Sequence, residues 1–318
     1  MTEGFDRERL RPRLAALARA GVFIGSSSWK YPGWLGQVYD RQRYVWRGRY
    51  AQSRFERYCL AEYAEVFKTV CVDAAYYQFP SERYLGELAA QVPADFQFAF
   101  KVTDQITIKR FPNLPRFGPR AGAANPDFLN ADLFASAFLQ PCAAIHPKVG
   151  LLIFEFSRFW PADFERGRDF VAALDGFLER LPAGWPYGVE IRNRSFLQPE
   201  YFATLARRGV AHVFNSWEAM PSLAEQLALP GSVTQPERVA VRLLLQPGRR
   251  YAEAVKLFAP YDRLKEPQPA ARAAVAGLIR AAEQSGRPRR LFVFVNNRFE
   301  GNAPGTIAAI LEEATRIQ

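Results

Sequence analysis

The chain has 318 residues, 49% of them apolar, and carries 42 Lys and Arg against 32 Asp and Glu, a formal charge of +10. That is ample apolar material for a sizeable core, and no run of about 18 uncharged apolar residues is present to cross a membrane. Cys59, Cys71 and Cys142 are too few and too scattered for a disulfide framework or zinc cluster, and Met1 to Ala20 lacks the apolar run of a secretory leader, so a cytoplasmic location is expected.

In chain order, residues 1–20 read as a basic N-terminal extension and residues 21–318 as one domain. Residues 1–60 hold twelve Lys and Arg against five acidic side chains (Glu3, Asp6, Glu8, Asp40 and Glu56), which is +7 of the total. Such a surface attracts polyanions, although an Arg-rich surface that only aids solubility accounts for most of these arginines. Strand-like runs follow at Val22–Ser28, Thr69–Ala75, Phe96–Val102, Val149–Phe156, Tyr187–Arg192, Ala211–Ser216, Val239–Leu244 and Leu291–Asn296. Helical periodicity lies between them at 51–66, 81–91, 128–144, 162–181, 198–208, 219–228, 269–285 and 305–316. Eight strand–helix units imply parallel strands and a single α/β TIM-like (β/α)8 barrel, with long loops after strand one (Trp29 to Tyr50) and strand three (Thr103 to Pro126). Gly25-Ser26-Ser27-Ser28-Trp29 lacks the glycine spacing of a dinucleotide-binding loop, which argues against an open sheet.

Side chains two apart share a strand face. With the β-branched and Phe residues facing outward, Cys71 and Asp73, Ala99 and Lys101, Glu190 and Arg192, and Arg242 face the barrel interior near the strand ends. One of Asn296 and Asn297 faces inward too, while the parity of Glu155 stays open. One reading is a self-neutralising ion network that caps the core. The preferred one is a site for a small anionic ligand (phosphate-, carboxylate- or sugar-like), with Lys101, Arg192 and Arg242 as its cations. Asn296 or Asn297 would orient the ligand, and Glu190, Asp73 and Lys101 are the candidate acid–base groups. The Gly301 to Thr306 run into the last helix offers free N–H groups that suit phosphate.

His146 and His212 precede or open their strands and cannot reach this rim, so no zinc or iron site and no Ser/His/Asp arrangement is expected; magnesium on Asp73, Glu155 or Glu190 stays open. Cys71 as a nucleophile is weaker than Cys71 as packing. The rival class is nucleic-acid binding or a nuclease-like barrel, resting on the basic N-terminal region and the loop Arg41-Gln42-Arg43-Tyr44-Val45-Trp46-Arg47-Gly48-Arg49. The sequence leaves the cofactor, if any, unknown.

Several motifs together resemble one family: Gly25-Ser26-Ser27-Ser28-Trp29-Lys30-Tyr31; Asp73-Ala74-Ala75-Tyr76-Tyr77; Phe98-Ala99-Phe100-Lys101-Val102; Val189-Glu190-Ile191-Arg192; Val241-Arg242-Leu243; and Asn296-Asn297. The chain resembles, over residues 21–316, the uncharacterised barrel proteins called DUF72 or YecE-like. The resemblance implies a TIM-like barrel and no particular activity, and it adds Trp29 and Tyr76 to the candidate ligand residues. The sequence departs from the family's pattern at Cys71 and Asp73 (Glu-x-Asn), Thr107-Ile108 (Thr-His), Asn193 (His) and Arg242-Leu243-Leu244 (Arg-x-His). Three family histidines are therefore absent, which leaves a non-catalytic scaffold as a further alternative and catalysis undecided.

Overall fold

Short, almost wholly apolar strands must be covered on both faces, and a closed parallel barrel wrapped in helices does this. The computed structural model describes residues 5–285 and 289–316. Its barrel strands are β1 (Val22–Ser26), β2 (Thr69–Val72), β3 (Gln97–Lys101), β4 (Val149–Phe156), β5 (Tyr187–Ile191), β6 (Ala211–Ser216), β7 (Arg238–Leu243) and β8 (Arg290–Val295). Each pairs in parallel with the next, and β8 pairs with β1. The seam between β1 and β2 is the thinnest, with Ser26 opposite Val70 as its one registered pair.

The expected barrel is present, but six strands end one to three residues before Ser28, Ala75, Val102, Arg192, Leu244 and Asn296. At this edge the backbone turns out of the ladder, four times into a short helical turn: Ala74–Tyr77, Asp104–Thr107, Arg194–Phe196 and Asn297–Glu300. The expected helix at 128–144 is irregular. Ala131–Leu133, a π-helical Phe134–Leu139, Gln140–Cys142 and a 3-10 segment Ala143–Lys148 follow one another, and Pro141 and Pro147 each remove an N–H donor. The helix expected from 162 begins at Gly167, and an unforeseen helix covers Tyr251–Phe258.

The outer core lies between barrel and helices. Within the barrel, small Cys71, Ala99 and Ala240 face large Phe23, Phe292 and Phe294, with Leu151, Ile153 and Val213 filling between them. Phe23 and Phe292 stack at 5.1 Å between centroids. Between β3 and β4 the register slips, Val149 opposing Phe98 and Leu151 opposing Ala99, so Gly150 is the extra residue of a bulge. A Cβ there would sit 2.7 Å from the Phe292 ring, so glycine is required.

Helix α1 (Arg7–Arg19) lies within residues 1–20, whose first four residues lie outside the described ones. Its Leu10, Leu14 and Leu17, spaced for one helical face, are buried in the outer core. Arg7 pairs with Glu62 and Glu65, Arg9 with Glu312 and Arg13 with Glu283, so part of the N-terminal positive charge is already neutralised.

Candidate functional site at the barrel mouth

Six charged side chains from β4, β5, β7 and the residues at or just past the ends of β2, β3 and β5 converge at the C-terminal mouth. Glu155 is at their centre. It is 2% exposed, and its Oε2 lies 2.9 Å from Lys101 Nζ, 2.8 Å from Arg192 Nη2 and 2.8 Å from Arg242 Nη1. Glu190, fully buried, meets Arg242 Nη1 at 2.6 Å and Arg192 Nε at 3.3 Å. Asp73 Oδ1 approaches Arg242 Nη2 at 3.5 Å but makes no hydrogen bond. Burial by itself would raise the Glu155 pKa, yet Arg192, Lys101 and Arg242 outweigh it and hold the carboxylate well below its usual range. Burial opposes the charge on Arg242 as well, but Glu190 and its neighbours keep the guanidinium protonated.

Asp73 differs from the two glutamates. About a third of its side chain, 35%, is open to solvent, and burial raises its pKa with only partial relief from Arg242 and Lys101. The three cations and three carboxylates sum to zero when all are ionised, and to +1 when Asp73 holds its proton. Aromatic groups complete the mouth: Lys101 Nζ lies 3.5 Å from the Tyr76 ring centroid, and the Arg192 guanidinium lies 3.7 Å from Trp217.

The structure thus gathers Asp73, Lys101, Glu190, Arg192, Arg242 and Tyr76. Asn296, Asn297 and Trp29 do other things. Asn296 caps the turn Asn297–Glu300 by accepting from Arg298 N at 3.0 Å. Asn297 Oδ1 accepts from Trp34 Nε1 at 3.2 Å and Ala303 N at 2.8 Å, joining the loop after β1 to the last helix. Trp29 lines a cleft on the barrel's flank with Lys30, Arg57 and Tyr84. The expected phosphate cradle before the last helix (Ala303–Thr315) is closed. Its first residues are buried, and Asn297 and Asn302 side chains already accept from Ala303 and Gly305 N–H groups. His212 is enclosed and hydrogen-bonded to Tyr201, and burial pushes its pKa down to about 3; the Cys71 thiol is pushed up to about 12. Neither group is poised for chemistry.

Sequence reasoning left Glu155 unplaced and missed Asn215, Trp217 and Arg298. Leu151 and Ile153 face inward on the same strand, but apart from Glu155 β4 is apolar on both faces and is bulged, so alternation could not reveal Glu155. Asn215, by contrast, was readable: it is the one amide on β6, two residues after inward Val213. Its Nδ2 donates to Ile191 O at 3.0 Å and its Oδ1 has no partner. Among the described residues, no group of three or more His, Cys, Asp and Glu could hold a metal ion, and no helix is long and apolar enough to cross a membrane.

A second cavity adjoins the mouth, of about 310 Å3, between the loops after β3 and β4. Ser157 on its wall neighbours Tyr76, whose ring faces Lys101 Nζ at 3.5 Å.

The sequence model of a family described as "Protein of unknown function DUF72" matches residues 23–317. The UPF0759 protein YecE of Escherichia coli K12 is 24% identical over 185 residues, covering 57% of this chain and 50% of that protein. The chain therefore spans about half the length of the curated relatives it matches. A crystal structure of a DUF72 family protein from Enterococcus faecalis V583 superposes with a TM-score of 0.62 at 19% identity, covering 93% of this chain and 96% of that one. One from Thermotoga maritima MSB8 gives 0.56 at 20% identity, covering 91% and 96%. These likenesses establish the fold.

Proposed function

Since the chain belongs to the DUF72 family, whose description assigns no activity, its function has to be argued from its own rim, and we propose that it binds a small anionic ligand, phosphate-, carboxylate- or sugar-like, at the C-terminal mouth of the barrel. One observation carries this reading. Asp73 is a solvent-reached carboxylate with a raised pKa and an unpartnered oxygen, set against cations held by two buried glutamates. A proton on Asp73 leaves the cluster with one surplus positive charge, which a ligand anion neutralises. Lys101 and Arg192, 12% and 11% exposed, meet the anion. Arg242, Glu155 and Glu190 are too enclosed to touch a ligand and instead position the two outer cations. Asp73 is the group placed to exchange a proton with a ligand hydroxyl. The test is calorimetry with inorganic phosphate and hexose phosphates near pH 6 on the wild type, Asp73→Asn and Lys101→Ala/Arg192→Ala. Binding that is lost in the double variant and whose pH dependence is smaller in Asp73→Asn than in the wild type supports the reading; equal binding by all three proteins refutes it.

A second reading, single-stranded nucleic acid laid across the mouth, is favoured by one observation. Three exposed aromatic residues in the segments that follow β2, β4 and β7 each carry a guanidinium: Tyr77 with Arg116 at 5.1 Å, Tyr251 with Arg298 at 4.6 Å and Trp160 with Arg158 at 4.4 Å. Stacking platforms beside cations suit unpaired bases. Oligonucleotide binding with a steep salt dependence, lost on removing these rings, supports it; absence of binding at low salt excludes it.

A further inference from the structure

We propose that the cavity between the loops after β3 and β4 is a subsite for a planar ring bearing an anionic group, a ligand of the mononucleotide class. The idea goes beyond the small-ligand reading of the mouth: it places an anion together with a ring in the adjoining cavity, apart from the anion that Lys101 and Arg192 meet. Charge makes the case first. The mouth cluster carries no more than one surplus positive charge, and that only when Asp73 is protonated, whereas Lys109, Arg110 and Arg158 line this cavity with Asp163 as their one carboxylate, a surplus of two. That carboxylate is already engaged within the cavity wall. Its Oδ2 accepts from Trp160 N at 2.9 Å, and its Oδ1 stays 3.9 Å from Arg110 Nε. Lys109 and Arg158 form no ion pair among the described residues. A desolvated phosphate or carboxylate would supply the missing countercharge.

Shape specifies the rest. Trp160 is 58% exposed, lines the cavity and has the Arg158 guanidinium 4.4 Å from its ring centroid. Its surface offers a stacking platform with a cation beside it, a pairing suited to an aromatic ring with an attached anion. A volume of about 310 Å3 suits a single such group and not a longer oligomer. Ser157 on the cavity wall neighbours Tyr76, whose ring faces Lys101, so a ligand anchored here extends toward the mouth at Lys101.

The test is calorimetry on the full chain at low salt with AMP, adenosine, inorganic phosphate and a dT10 oligonucleotide. AMP should bind about tenfold or more tightly than either adenosine or phosphate, since each fragment lacks one anchor. Arg158→Ala and Lys109→Ala should each weaken AMP about tenfold. Trp160→Ala should weaken it about fivefold, and Trp160→Phe should restore most of that loss. Tighter binding of dT10 with the same dependence on Trp160 would identify a strand end as the natural source of the ring and phosphate. AMP affinity unchanged in Arg158→Ala and Trp160→Ala overturns the subsite. If phosphate or hexose phosphates then still require Lys101 and Arg192, the reading of the mouth stands alone; if those also bind independently of Lys101 and Arg192, both fall.

Discussion

Replacing Arg242 with Met tests whether the ion cluster is a closed structural unit. Arg242 is 2% exposed and lies within 2.8 Å of Glu155 and 2.6 Å of Glu190. Methionine keeps an unbranched side chain of moderate length but takes the cluster from a formal sum of zero to −1, with two carboxylates enclosed. Removing one partner of a buried ion pair costs about 3–5 kcal/mol, a large part of the 5–15 kcal/mol that roughly holds a domain together. Adding Glu190→Gln returns the formal sum to zero, and the two substitutions should be coupled by about 1–3 kcal/mol. Urea unfolding at pH 7 measures both, with an unchanged slope as the check that the unfolded state is comparable. The reasoning fails if Arg242→Met costs less than about 1 kcal/mol. It fails equally if the double variant is no more stable than Arg242→Met.

Other consequences are open to measurement. Asp73 has a raised pKa in the folded chain, so the folded state holds its proton to higher pH than the unfolded chain does, and wild-type stability falls as pH climbs from about 4 through that raised value. Asp73→Asn should remove this fall; parallel pH–stability curves would contradict it. Glu155 runs the other way. Its depressed pKa contributes stability above the ordinary carboxylate range that is lost as pH drops, so the cost of Glu155→Gln should shrink in acid. Asn297→Ala strands the Trp34 and Ala303 donors, at about 1–3 kcal/mol for each unsatisfied group, read as a drop in melting temperature. Leu14→Ala should cost about 2–5 kcal/mol if α1 is part of the core, since Leu14 is 2% exposed. Chemical denaturation that leaves this variant equal to wild type would return residues 1–20 to the status of a separate extension. The Cys71 thiol, buried with a pKa near 12, should resist a thiol reagent at pH 8 until the chain unfolds.

Strand number, parallel order and the inward parity of Lys101, Glu190, Arg192 and Arg242 were all legible in the sequence. They rest on local rules: a period of two along a strand, and a helix after each one. Local rules also failed in identifiable places. The bulge at Gly150 and the otherwise apolar character of both faces of β4 hid the orientation of Glu155, the residue that three cations share. The asparagines after β8 have the look of ligand groups in sequence, yet Asn296 caps the turn that follows it and Asn297 latches the first loop, whose Trp34 folds back upon it. Glu155 and Arg242 are 87 residues apart, and only closure of the barrel brings them together. Which charges cancel, which carboxylate stays open to solvent and which cations keep no partner are therefore tertiary outcomes. A residue's face follows from the backbone on either side of it, but its electrostatic partner depends on the path of the whole chain.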